Sequence, residues 1–133
     1  MSSWKESFER VRQELEIARR KKQALDDLLE KKKMSQLTYE HLERTLRETL
    51  LDLEAHQRSL VEKMRERIDE LANQLETLDL LLASLEVSYA GGEVDEKTYI
   101  KNRETLQSGL EATKAEMNEI KEALNIISEA MKA

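Results

Sequence analysis

Residues 64–89 read MRERIDELANQLETLDLLLASLEVSY, and the placement of their apolar side chains decides the fold. Met64, Ile68, Leu71, Leu75, Leu78, Leu82, Leu85 and Tyr89 recur at alternating steps of four and three, the spacing of a coiled-coil seam. No glycine or proline interrupts them. Traced backwards, the seam continues through Met64, Leu60, Gln57, Leu53, Leu50, Leu46, Leu42 and Tyr39 to Ser35. One helix over 35–89 is therefore predicted, roughly 80 Å long at 1.5 Å per residue, which is more than a small compact domain spans.

Each end of this helix is marked by turn chemistry. At the N-terminal end, Ser35 is a good N-cap, and Met34 before it pairs with Tyr39 four positions inside as a hydrophobic staple. At the C-terminal end, Gly91-Gly92 suits a left-handed helix stop and Asp95 is the next cap, with Val94 and Tyr99 forming the second staple. A shift of sixty residues aligns Met34 with Val94, Ser35 with Asp95, Thr38-Tyr39 with Thr98-Tyr99, and Leu50 with Leu110. The turn and the helix after it thus read as a repeated unit.

The outer segments carry matching stripes. Upstream, Ser3 and Glu6 form a capping-box pattern, followed by Trp4, Phe8, Val11, Leu15, Ala18, Leu25 and Leu29, with Lys22 in the one polar slot. Downstream come Tyr99, Leu106, Leu110, Met117, Ile120, Leu124, Ile127 and Met131, with Arg103 and Thr113 as interruptions. Helices over about 3–32, 35–89 and 95–131 follow, in one domain spanning 1–133. The predicted fold is all-α: an elongated, N-shaped antiparallel coiled coil in which two hairpins share a long central helix, with a short three-helix zone near 55–65.

The composition agrees with this reading. Of 133 residues 38% are charged, 4% are aromatic and none is proline, the profile of long helices with charged flanks. Without cysteine there are no disulfides, thiolate metal sites or thiol nucleophiles. No apolar run reaches the ~18 residues of a membrane span, and the charged N-terminus does not resemble a secretory signal, so a cytoplasmic protein is expected, with peripheral membrane association as its extension. Residues 1–33 hold ten Lys/Arg against seven Asp/Glu, whereas residues 68–133 hold six against fourteen. So acidic a half disfavours wrapping nucleic acid along the whole chain, because cationic contacts to phosphate supply most of that affinity.

No reaction is legible. His41 and His56 are the only imidazoles; Asp52 lies one turn before His56, but one helix face offers only those two ligands, and seam-edge histidines are the expectation. Carboxylates are too numerous for any pair to stand out, and a coiled coil offers no pocket to shift their pKa values. Gly91-Gly92 follows a helix and lacks the lysine of a phosphate-binding loop, so it reads as a turn. Trp4 and Phe8 could lie on an anionic membrane, but their heptad continuity favours burial. We therefore expect a non-enzyme with no cofactor and no metal site. Two surfaces remain. The apolar face widens at Leu80, Leu81, Leu85 and Val87, with Ile126 on the third helix, and is assigned to self-association as a homodimer or higher species. Arg19, Arg20, Lys21, Lys31, Lys32 and Lys33 form a candidate basic patch on the first hairpin for nucleic acid or lipid headgroups, with Asp26, Asp27 and Glu30 interleaved.

The segment around the second turn resembles the coiled-coil region of the archaeal CdvA-like proteins. The resemblance is carried by Leu82, Leu85 and Glu86 before the turn, Gly92-Glu93-Val94-Asp95-Glu96 and Tyr99 within it, and Leu106, Gly109-Leu110-Glu111 and Lys114 after it. It implies a helical hairpin through which the protein self-associates and acts as a scaffold for an ESCRT-III-type division or membrane-remodelling machine. ESCRT-III-like division proteins are then implied partners. The best-known members place a small β-barrel before the coiled coil and a partner-recruiting peptide after it; with a helix starting at Ser3 and the last residue at Ala133, neither is expected here. The alternative function is an adaptor whose basic first hairpin docks on an anionic surface.

Overall fold

The computed structural model describes the backbone of residues 3–132 and the side chains of residues 4–130. Three helices account for nearly all of it: α1 is Ser3–Glu30, α2 is Gln36–Ala90 and α3 is Glu96–Lys132. No strand occurs among the described residues. The all-α expectation holds, and α2 is a single helix of 55 residues, as its unbroken seam requires. The Ser3 side chain, and with it the first capping box, lies outside the described residues.

Helix α1 stops two residues before the predicted boundary, and the reason is stereochemical. Lys32 takes a positive φ of 59°, after which the amide of Lys33 donates to Leu28 O at 2.9 Å and that of Lys32 to Leu29 O at 3.0 Å. This is a Schellman stop, built on a lysine where glycine is the usual occupant. The second turn repeats it sixty residues later: Gly92 has φ 78°, Glu93 N donates to Ser88 O at 2.9 Å and Gly92 N to Tyr89 O at 3.0 Å. Both predicted caps form. Thr38 N donates to Ser35 Oγ at 3.1 Å and Thr98 N to Asp95 Oδ1 at 2.8 Å.

Contacts divide the chain into two units, 1–63 and 64–133, with α2 contributing to both. In the first unit α1 buries Phe8, Val11, Leu15, Ala18 and Leu25, the predicted stripe. Trp4 packs edge-on against Phe8, with ring centroids 6.2 Å apart. In the second, Met64, Leu71 and Leu85 of α2 are buried, as are Tyr99, Leu110, Ile120, Ala123 and Ile127 of α3. Leu15, Met64, Leu71 and Ile120 are each 2% exposed or less, which places the inward line of each unit on predicted seam positions.

Candidate functional site

The polar residues that interrupt the seams turn out to be fastened within the units. In the first unit Tyr39 donates its hydroxyl proton to Asp26 Oδ1 at 2.7 Å, and Lys22 Nζ donates to the same Asp26 oxygen at 2.8 Å and to the Tyr39 hydroxyl at 3.2 Å. Lys22 thus ties the two helices together at the turn. The hydrogen bond from Lys22, and then that from Tyr39, holds the Asp26 carboxyl below the usual range; the same contacts raise Lys22. In the second unit Tyr99 donates to Glu86 Oε1 at 2.6 Å, and Arg103 stacks over the Tyr99 ring 5.2 Å from its centroid. The Tyr89 ring stacks on that of Tyr99, with centroids 4.0 Å apart and planes 9° from parallel. The bond to Glu86 keeps the Tyr99 proton on and raises its pKa. Asp26 and Glu86, like Tyr39 and Tyr99, are sixty residues apart, so each hairpin closes on a tyrosine–carboxylate bond.

Further along the second unit, Arg67 grips Glu116 with two guanidinium nitrogens at 2.7 and 3.1 Å and reaches Glu70 at 2.9 Å. Buried Thr113 donates to Gly109 O at 2.7 Å and accepts from Gln74 Nε2 at 2.8 Å. The pairs 67–116, 74–113 and 86–99 set an antiparallel register in which paired positions sum to about 185.

This register sorts the predicted self-association residues. Leu80, Leu81 and Val87 are 70, 48 and 73% exposed; Leu80 and Val87, seven residues apart, make an apolar ridge along one face of α2, and Leu81 lies about 100° round the helix from them. Leu85 does not belong to it: at 8% exposure it is core, because steps of seven from Leu71 and Leu78 keep it on the inward line. Ile126 is exposed but lies some twenty residues further along α3 than the stretch level with the ridge, roughly 30 Å away. Ile100 of α3 is a further exposed aliphatic residue, near the level of Leu85, that heptad counting did not single out. The staple residues Met34, Tyr39 and Val94 are half-buried and Tyr99 is buried.

The six residues of the candidate basic patch are all exposed. Arg20 pairs with Glu16, the backbone of Lys32 forms the helix stop, and Arg19 to Lys22 are followed by Asp26, Asp27 and Glu30 before Lys31 to Lys33. His41 and His56 are both exposed. Among the described residues no helix is long and apolar enough to cross a membrane.

The first unit also holds an open apolar groove of about 490 Å³ between α1 and α2. Its floor includes Ala18, Leu25, Leu46 and Leu53, and its margins include the exposed Ile17 and Leu42. Ile17 falls off the heptad line, so the seam pattern did not single it out.

The family described as the CdvA-like coiled-coil domain matches residues 3–133. Cell division protein A of Sulfolobus acidocaldarius is 25% identical over 125 residues, covering 94% of this chain. The chain spans about half, 52%, of that relative's length. No solved structure matches.

Proposed function

The chain belongs to the CdvA-like coiled-coil domain family, and from that premise we propose that it is a non-enzymatic scaffold, self-associating through exposed apolar helix faces, in a cytoplasmic cell-division or membrane-remodelling assembly. The observation that carries the reading is the ridge of Leu80 and Val87, with Leu81 exposed beside it, on a well-packed hairpin whose inward line is already filled. Three large aliphatic side chains left in water on one stretch of helix are a standing incentive to association. The named relative is a cell division protein, which supports a place in cell division; further copies of the chain and, from the family resemblance, ESCRT-III-like division proteins are the partners proposed.

Sedimentation or light scattering with absolute mass tests this reading. Leu80→Asp combined with Val87→Asp should lower the mass at micromolar concentration while helicity stays constant. An unchanged mass would remove the ridge from the interface. The adaptor reading has less support, since the first unit carries fourteen Lys/Arg against thirteen Asp/Glu and its cations are partly engaged. Binding to DNA or anionic liposomes that disappears between about 50 and 300 mM salt would favour it instead.

A further inference from the structure

We propose that the α1–α2 groove of the first unit is a two-fold interface: a second copy of the chain lays its own groove against it, and the two hairpins close as an antiparallel four-helix bundle. The occupant is read from the symmetry of the lining. Tyr39 bonds to both Lys22 and Asp26, so its level on α2 is that of the middle of this α1 turn. Counting along the antiparallel helices then brings Ile17-Ala18 level with Thr45-Leu46, all four of which line the groove.

A two-fold axis crossing the hairpin at that level sets α1 against α1 and α2 against α2 of the second copy, each pair antiparallel. Glu14 and Lys21, also lining residues, are equidistant from the axis, so Glu14 of each copy meets Lys21 of the other. Both side chains are exposed, and among the described residues neither is ion-paired within the chain. The same operation sets Ile17 against Ala18, Leu46 against Thr45 and Leu42 against Thr49. These four kinds of facing pair are large against small or acid against base, as interdigitating layers require, while Leu25 and Leu53, the outermost lining residues, face Arg10 and Thr38. The exposed Ile17 and Leu42 would be covered, at 49 and 43% exposure in the single chain.

Charge favours the same occupant. Residues 1–63 sum to +1 from fourteen cations and thirteen anions, so two first units meet with little repulsion, whereas residues 64–133 hold eight against fifteen. This interface shares with the scaffold reading the idea of self-association, but it stands on a different surface from the Leu80–Val87 ridge, so the two fail separately.

The test is a charge swap on the full chain, read by sedimentation equilibrium with helicity checked by circular dichroism. Glu14→Lys alone and Lys21→Glu alone each put like charges at two symmetric places and should raise the dimer dissociation constant roughly tenfold or more. The double variant should return to within roughly threefold of wild type. Mixing the two single variants should give a heterodimer, since unlike charges then meet at both places. Ile17→Lys, which leaves both charges in place, should also block the dimer. A monomeric wild type, single variants that dimerise like wild type, or a double variant no better than the singles would overturn the proposal. Dimerisation lost only in Leu80→Asp would assign it to the ridge and overturn this interface as well.

Discussion

Lys32 is the residue whose conformation is least comfortable for its chemistry. A left-handed backbone costs an L-residue about 1–2 kcal/mol, which Gly92 avoids at the equivalent stop. Lys32→Gly removes that strain but loosens the unfolded chain, leaving an expected net gain of about 0.5–1 kcal/mol in urea unfolding. Gly92→Ala should do the opposite, losing about 1 kcal/mol. Gly109 differs, since it sits within α3 and an added Cβ would lie 3.5 and 3.6 Å from the Leu78 methyls, at ordinary contact distance. Gly109→Ala should therefore stabilise by about 0.5–1 kcal/mol through helix propensity. A loss of stability instead would show that α3 approaches α2 more closely than those contacts indicate.

At the level of elements, the two hairpins close on tyrosine–carboxylate bonds but differ in the cation beside them. Lys22 comes from the helix before the first turn and Arg103 from the helix after the second. Their pH limits follow from the shifts. The lowered Asp26 contributes stability that is present above its ordinary value of 3.8 and is lost as pH falls through the folded value. The raised Tyr99 contributes stability that is present below its ordinary value of 10.0 and is lost as pH rises through the folded value. Hydrogen exchange should thus show the first hairpin turn loosening in acid, a response flattened by Asp26→Asn. The second turn should loosen in alkali, a response flattened by Tyr99→Phe. Tyr99→Ala should in addition speed exchange over residues 93–103 by an order of magnitude or so, because the ring also covers Tyr89 and carries Arg103. Exchange there at the wild-type rate would mean that Val94 and the glycine stop hold the turn unaided.

For the whole molecule, the unequal charge of the two units makes a prediction that neither helix alone would. Ridge-to-ridge association brings together two units of −7 each, so it should strengthen as salt rises from about 50 to 500 mM and persist near 1 M. Salt-weakened association would point to ionic contacts as its source. The sequence alone determined the three helices, their seams and both caps, because heptad spacing, the serine and aspartate caps and the paired glycines each act over a few neighbouring residues. The sixty-residue repeat was legible for the same reason, through Tyr39 and Tyr99. What tertiary structure decided was anything set by register between helices. That Ile126 lies far from the ridge, and that Asp26 and Glu86 receive the two tyrosine hydroxyls, both depend on which residues of facing helices come level. The groove around Ile17 belongs to the same class. Seam spacing says which side of a helix turns inward, but only the packed partner settles how far that side is covered.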